Sequence, residues 1–192
     1  MIKKIMFVCG VGCTMLANAQ SSKFEGVNIA LNINAATMTT NLADTFTLGE
    51  SSTNASIQGG YSFALSEKAL LSLGATYLMG DLNAGSVNGS SIQSKAKNLY
   101  TIYVEPAYVM GTTAIYGKLA YIATKGAITS YSDEYSDDFN GTGYGVGIRT
   151  MIDKNMYFQV EFMNATFNSK TIQSLPIQPG GTIGTGGIGY RF

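Results

Sequence analysis

The fold is decided by a pattern that is plainest in residues 24–34, which read FEGVNIALNIN. From position 26 onward, the odd positions carry the apolar side chains Val27, Ile29, Leu31 and Ile33, while the even positions carry Gly, Asn or Ala. Successive side chains of a β-strand point to opposite faces, so alternation with a period of two is typical of strands. The stretch therefore predicts a strand with one apolar and one polar face.

The same alternation returns seven more times along the chain. Read at every second position, the further apolar lanes span 55–65, 71–79, 100–108, 115–121, 144–148, 156–162 and 188–192. With the residues that flank these lanes, the eight predicted strands have roughly the ten residues that a tilted strand needs to cross a bilayer. Short connections at 65–68, 111–113 and 153–155 alternate with long polar ones at about 35–50, 81–97, 125–141 and 165–181. We therefore predict an all-β protein, an eight-stranded antiparallel up-and-down transmembrane β-barrel.

The first residues read as a secretory signal peptide. Lys3 and Lys4 form a basic region, and the apolar stretch 5–16 that follows is too short to span a bilayer as a helix. Ala17-Asn18-Ala19 then supplies a small-x-small cleavage pattern, with a buried N-terminal element as the alternative. The predicted parts are a cleaved signal peptide, 1–19, and an outer-membrane β-barrel domain, 20–192.

Composition narrows the possible chemistry. The formal net charge is zero, so the chain lacks the basic excess of a nucleic-acid-binding protein. Both cysteines, Cys9 and Cys13, lie in the expected signal, which leaves the mature chain without a thiol. A lipoprotein would retain Cys13, but the preceding residues 10–12 lack the large aliphatic side chain that is typical before a lipoprotein cleavage site. There is no histidine.

Two kinds of barrel fit eight alternating strands. A soluble lipocalin-like barrel turns its apolar lane inward around a ligand. Here the polar lanes are rich in Gly, Ser, Asn and Thr with few charges, which makes them a poor aqueous surface. Apolar stripes exposed to water would aggregate, whereas lipid suits them and barrel closure leaves no unsatisfied edge. We therefore expect the apolar lanes to face lipid.

The charges of the inward lanes have partners across neighbouring strands. The candidate lumen ion pairs are formed by Glu105, Lys118, Arg149 and Glu161. The short turn near 111 sets Glu105 opposite Lys118, and the turn at 153–155 sets Arg149 opposite Gln159 with Glu161 on the diagonal. Such pairs suit an enclosed lumen, where an unpaired charge is costly; ion pairs on a solvated sheet are the alternative.

Four stretches carry a family resemblance. They are YTIYVEPAYVM (100–110), TAIYGKLAYIAT (113–124), GTGYGVGIRTMIDKNMYFQVEFMNATF (141–167) and the terminal GGIGYRF (186–192). Over roughly residues 24–192 the chain resembles the small porin-family outer-membrane β-barrel proteins related to OmpX and to the OmpA barrel. It departs from them in having no tryptophan, so tyrosine and phenylalanine must form the aromatic girdles.

The resemblance implies a monomer in the outer membrane of a Gram-negative bacterium, exported by the N-terminal signal. It also implies contact with outer-membrane lipid and lipopolysaccharide, and recognition of the C-terminal strand, Ile188, Tyr190 and Phe192, by the outer-membrane assembly machinery. We expect a structural or surface-interaction role through long extracellular loops, with an unknown ligand; a narrow porin-like channel for ions or small solutes is the alternative. Barrel enzymes of this kind resemble one another in relying on a histidine, so we expect no enzyme and no cofactor.

The stretch SYSDEYSDDFNG (130–141) is the candidate interaction segment. Its acidic residues Asp133, Glu134, Asp137 and Asp138 are weak candidates for holding a divalent cation or meeting a basic partner. Their spacing differs from that of an EF-hand loop. A solvated acidic loop is therefore the favoured interpretation, and we expect no metal site.

Overall fold

The computed structural model describes residues 20–42, 46–86, 92–130, 133–172 and 175–192. The expected signal peptide lies outside these residues, so its cleavage stays a prediction. The strands are β1 (Gly26–Leu42), β2 (Phe46–Ala64), β3 (Ala69–Met79), β4 (Leu82–Ser86), β5 (Ile92–Met110), β6 (Thr113–Ser130), β7 (Asp133–Met151), β8 (Met156–Phe167), β9 (Lys170–Ile172) and β10 (Leu175–Arg191). A 3₁₀ turn over Gln20–Lys23 precedes them.

Pairing between these segments closes a barrel. Successive strands pair antiparallel in the order β1-β2-β3-β5-β6-β7-β8-β10, and β1 pairs with β10. Beyond the end of β3, β4 takes its place as the partner of β5. Beyond the end of β8, β9 in the same way takes its place as the partner of β10. In the described residues, ten segments thus form eight strands of a closed antiparallel barrel, which confirms the predicted fold class.

The two faces of each strand differ as the alternation predicts. Outward side chains such as Leu119, Val160 and Ile188 are 61%, 50% and 54% exposed. Inward side chains such as Gln159 and Glu105 are almost completely buried. The apolar lanes therefore line the outside of the barrel, where lipid rather than water suits them.

The strands are longer than the sequence predicts. β2, β5 and β7 have 19 residues each, about twice the length that a bilayer requires. The stretches expected as long loops are mostly hairpin, with pairs such as Met38 with Glu50 and Gly126 with Asp137. Their Thr-, Ser- and Gly-rich sequence lacks an apolar lane and so carries no strand signal, yet the ladder hydrogen bonds continue there.

One end of the barrel, called the turn end below, carries the short turns and both ends of the described chain; the opposite one is the hairpin end. The predicted short connections appear as turns at 65–68, 111–112 and 152–155. Residues 20–24 close the turn end: the amide N–H of Gly111 donates to Gln20 Oε1 over 2.8 Å, and Ser21 Oγ donates to the carbonyl oxygen of Ser66 over 2.5 Å. Phe24, 3% exposed, plugs this end.

Candidate functional site

A cluster of four charged side chains fills the middle of the lumen. Glu105, Lys118, Arg149 and Glu161 come from the consecutive strands β5 to β8 and are each at most 6% exposed. Lys118 Nζ lies 3.1 Å from Glu105 Oε1 and 2.5 Å from Glu161 Oε2. Arg149 Nη2 lies 3.1 Å from Glu105 Oε2. Two positive and two negative charges therefore balance within one connected cluster, as burial demands.

The cluster differs in one pairing from the sequence-based expectation. Glu105 meets Lys118, and Arg149 Nε donates to Gln159 Oε1 over 3.1 Å, as the predicted register requires. Glu161, however, pairs with Lys118 rather than with Arg149, whose guanidinium reaches across the lumen to Glu105. Gln159 thus occupies the Nε edge of the guanidinium, and Nη2 contacts Glu105 on β5, two strands away.

Three buried tyrosines surround the cluster, and each lies beside a glycine of the neighbouring strand. Tyr103 is paired with Gly74, Tyr116 with Gly147 and Tyr157 with Gly189. A Cβ atom added at any of these glycines would overlap the tyrosine ring beside it. The missing side chains thus let the rings lie flat against the barrel wall.

The rings also hold the cations in place. Lys118 Nζ lies 4.4 Å from the Tyr103 ring centroid, and Arg149 Cζ lies 5.1 Å and 5.0 Å from those of Tyr116 and Tyr157. Such distances allow cation–π attraction, which is stronger where water is excluded. Tyr157 was missed as a lumen residue at the sequence level, although it stands in the same lane as Gln159 and Glu161.

Replacing Gly189 with alanine should destabilise the barrel because the new methyl group must displace the Tyr157 ring. We expect a loss of about 1–3 kcal/mol in unfolding free energy, the usual effect of overpacking. Urea titration followed by heat-modifiable gel migration measures it. Gly186→Ala on the same strand is the control, since a Cβ there meets no atom within 4 Å. Equal stability of the two variants would contradict the proposed fit.

A belt of amides connects the cluster to the far wall. Gln159 Nε2 donates to Asn32 Oδ1 and to Gln58 Oε1, each over 2.9 Å. Gln58 Nε2 in turn donates to the hydroxyl oxygen of Tyr103 over 2.8 Å. Hydrogen bonds therefore cross the lumen from β8 to β1 and β2, where an open water path would otherwise run.

Apolar side chains cover the polar cluster at both ends. Toward the hairpin end the buried cluster includes Met38, Leu78, Leu99, Ile122, Met163, Phe167 and Ile183. Toward the turn end Phe24 packs against Leu70, Val109 and Ala114. A recess lined by Phe24, Arg149 and Tyr157 has no room for a water molecule. In the described residues, the lumen is thus a packed core with a polar centre.

The acidic stretch at the hairpin end is only partly described. The side chains of Asp133 and Glu134 lie outside the described residues, and among those described no three potential metal-ligating groups converge. Asp137 Oδ1 lies 2.8 Å from Lys170 Nζ, which itself lies 5.2 Å from the Phe139 ring centroid. The hydrogen bond from Lys170 lowers the pKa of the Asp137 carboxyl. Asp137 is thus engaged by an ammonium group.

The terminal strand joins the first strand and completes the barrel. Tyr190 pairs with Ile29, and the N–H of Phe192 donates to the carbonyl oxygen of Val27 over 2.9 Å. Ile188, Tyr190 and Phe192 all face outward, and the two aromatic rings meet edge to face with centroids 5.0 Å apart. The outward face of this strand is apolar and ends in an aromatic pair, which is suited to the bilayer interface.

Comparisons with known proteins agree with this architecture. Residues 6–192 match the family described as "Outer membrane protein beta-barrel domain". No curated protein matches the chain. Within the described ranges, no helix has the length and apolarity that crossing a membrane requires.

Three solved structures are similar in fold. Ail, the attachment invasion locus protein of Yersinia pestis, in complex with the heparin analogue sucrose octasulfate, is 15% identical with a TM-score of 0.53, over 87% of this chain and 99% of that one. Neisserial surface protein A is 13% identical with a TM-score of 0.55, over 88% and 100%. OprG from Pseudomonas aeruginosa is 15% identical with a TM-score of 0.50, over 88% and 97%. From the match over nearly the whole chain and the closed barrel, it follows that the protein belongs to the outer membrane protein beta-barrel domain family and lies in the outer membrane.

Proposed function

We propose that the protein is a non-catalytic surface scaffold that presents its long hairpins to a partner outside the cell. The observation that carries the proposal is strand length. β5, β6 and β7 have 19, 18 and 19 residues, whereas a tilted strand crosses the bilayer with about 10. Short turns of such barrels face the periplasm and long connections face outward, so roughly half of each hairpin would project from the cell.

The packed lumen favours a scaffold over the alternative, a narrow channel. Eight strands enclose a space just wide enough for side chains. Here that space holds an ion cluster, an amide belt and apolar layers above and below them. An ion following this path would have to displace Phe24 at one end and side chains such as Ile122 and Met163 at the other.

The chemistry of the chain favours a role without catalysis. The sequence contains no histidine, the group that most often serves as general base. The buried carboxylates of Glu105 and Glu161 are both engaged by cations and separated from solvent. We infer also that residues 1–19 are a cleaved export signal, that the outward edge of β10 is read by the assembly machinery, and that the barrel is a monomer surrounded by lipid and lipopolysaccharide.

The charge of the projecting hairpins suggests a cationic partner. The tip of the β6–β7 hairpin carries four acids within 133–138 and no basic residue in that range. Ail, which has a similar fold, was crystallised with a polysulfated ligand. Sucrose octasulfate is an anion, whereas an acidic hairpin tip attracts cations. The sulfated sugar therefore serves as a negative control.

One experiment on refolded protein separates these functions. A variant whose residues 127–136 are replaced by an Asn-Gly turn joins Gly126 to Asp137, which are already register partners. We expect it to fold, as shown by heat-modifiable migration, and to lose binding of an immobilised oligolysine peptide that the complete protein retains. Sucrose octasulfate should bind neither form. The control shortens the β1–β2 hairpin between the partners Thr40 and Leu48 and should keep peptide binding.

The same samples test the channel alternative. Planar-bilayer recordings of the complete barrel should show no steady conductance, because the lumen is packed. A large steady current would overturn the scaffold proposal in favour of transport. Equal peptide binding by the complete and the shortened β6–β7 forms would instead remove the hairpin as the interaction site.

A further inference from the structure

The segment that closes the turn end also fixes the residue at which the mature chain is expected to begin. Ser21 is completely buried, and its N–H donates to the carbonyl oxygen of Glu67 over 3.0 Å. The carbonyl oxygen of Ser21 accepts from the N–H of Phe24 over 3.0 Å. Gln20, directly before Ser21, is partly exposed. Cleavage after Ala19 would turn the backbone nitrogen of Gln20 into a free α-amino group next to an anchored residue.

The side-chain amide of Gln20 is held at its oxygen. Gly111 lies in the turn between β5 and β6 with a φ of 66°, and its N–H donates to Gln20 Oε1 over 2.8 Å. A hydrogen-bond donor on a carbonyl oxygen stabilises the negative charge that develops there when a nucleophile adds to the carbon. The Cδ carbon of Gln20 is therefore activated for attack, and an amine of the same residue becomes available once the signal is removed.

An N-terminal glutamine carries both reactants of a ring closure. Its α-amino nitrogen forms a bond to its own Cδ, which closes the side chain into a pyrrolidone ring. The Cδ–Nε2 bond then breaks, and Nε2 leaves as ammonia with the proton that the α-amino group gives up. The products are a lactam and ammonia, and no oxidant, reductant or second molecule takes part. Attack within one residue replaces an encounter between two molecules, which strongly favours such closures.

We propose that Gln20 is a modification site, at which the mature N-terminus closes to pyroglutamate with the Gly111 N–H as the donor to the reacting carbonyl. The proposal rests on the cleavage after Ala19 that we infer above. The oxygen that Gly111 contacts becomes the lactam oxygen, so its N–H needs no new acceptor. The reaction removes the positive charge of the α-amino group and the freedom of the side-chain torsions. The turn end then carries an uncharged terminus that an aminopeptidase, which needs a free α-amino group, cannot attack.

The test follows ring closure by the mass of the N-terminal peptide. The barrel is refolded in detergent with a fusion partner ahead of Gln20, a site-specific protease removes the partner, and half of the sample is then unfolded in guanidinium chloride. Both halves are kept at about pH 8, where much of an α-amino group is neutral and nucleophilic. We expect loss of one ammonia to be about tenfold faster in the folded half. The gain is smaller than the roughly hundredfold effect of such a donor in an enzyme, because Gln20 is partly exposed.

Two variants separate the chemistry from the fold, and heat-modifiable migration checks that each is folded. Gln20→Glu keeps an oxygen for the Gly111 N–H, but its ring closure would have to expel oxygen from a carboxylate, so its N-terminal peptide should keep its mass. Ser21→Ala removes the hydrogen bond from Ser21 Oγ to the carbonyl oxygen of Ser66. We expect it to lose most of the difference between the folded and unfolded halves, each compared within the same variant.

The N-terminal peptide of the protein isolated from outer membranes tests the site in the cell. A chain that begins at Gln20 and lacks one ammonia would support the proposal. A chain that begins at Gln20 and keeps its ammonia would overturn the modification and leave the export signal intact, whereas a chain that begins elsewhere would overturn both. In the refolded samples, closure that is equally fast or slower in the folded half would overturn the role of Gly111.

Discussion

Replacing Glu105 with glutamine should lower the unfolding free energy by about 3–5 kcal/mol, the cost of leaving a buried charge without its partner. Glu105 bridges Lys118 and Arg149, and it is 1% exposed. Its loss leaves Lys118 with Glu161 but removes the carboxylate that Arg149 contacts. The positive charge of Arg149, which is 4% exposed, would then remain buried without a carboxylate partner. Urea titration of barrels refolded in lipid vesicles, followed by gel migration, measures the change.

Two further variants decide whether the cause is charge. Glu67→Gln at an exposed turn removes the same charge and should change stability by less than about 0.5 kcal/mol. Glu105→Gln/Arg149→Gln removes both members of one pair and leaves Lys118 with Glu161. Because neighbouring residues couple, we expect the double variant to be more stable than the sum of the single losses by about 1 kcal/mol or more. Strict additivity would show that the two groups do not interact.

Lysine in place of Val160 should cost about 2–4 kcal/mol, because its ammonium would enter the hydrocarbon near the midplane of the bilayer. Val160 lies at the middle of the outward lane 156–162 and is 50% exposed. Its inward neighbours Gln159 and Glu161 are buried, so the lysine side chain has no access to the lumen. Folding efficiency in vesicles and urea midpoints give the size of the effect.

The matched control lies on the same strand and the same face. Thr166 is exposed and lies six residues nearer the hairpin end, beyond Phe162. Lysine there should cost only about 0–1 kcal/mol, since the penalty falls toward the interface. If Val160→Lys and Thr166→Lys were tolerated equally, the outer surface could not be the lipid face. Both variants share the strand, the face and the introduced side chain, so their depth in the bilayer is the main difference between them.

Much of the barrel could be predicted from the period-two alternation, because every outward position that faces lipid favours an apolar side chain. Residues such as Ile29, Val160 and Ile188 show the outward face in the sequence itself. Short turns of defined length also fix the register, which is why Glu105 and Lys118 could be placed opposite each other. Local counting succeeds where partners are separated by a tight turn.

Other features could not be read from local patterns. The register of β5 shifts between Lys97 and Tyr100, where Asn98 has a left-handed backbone with a φ of 53°. Tyr100 faces outward and Leu99 inward, as the lane 100–108 predicts, but the alternation does not continue unchanged beyond this bulge toward residue 92. The inward residues Ile122 and Met163 are apolar, so near them the two faces of the strand cannot be told apart by polarity. The sequence therefore did not predict that apolar side chains close the lumen toward the hairpin end. Arg149 contacts Glu105 on β5, which is two strands away, so counting partners on adjacent strands does not find this pair.

The segment over residues 20–24 has a consequence for how the barrel is built. Its contacts join parts of the chain far apart in sequence: Gln20 and Gly111 are separated by 91 positions, and Ser21 and Ser66 by 45. Residues 20–24 can therefore make these contacts only after the turns at 65–68 and 111–112 have formed. We therefore expect Phe24 to dock late in the assembly of the barrel. Slow hydrogen exchange at the Gly111 amide would then show that the turn end has closed.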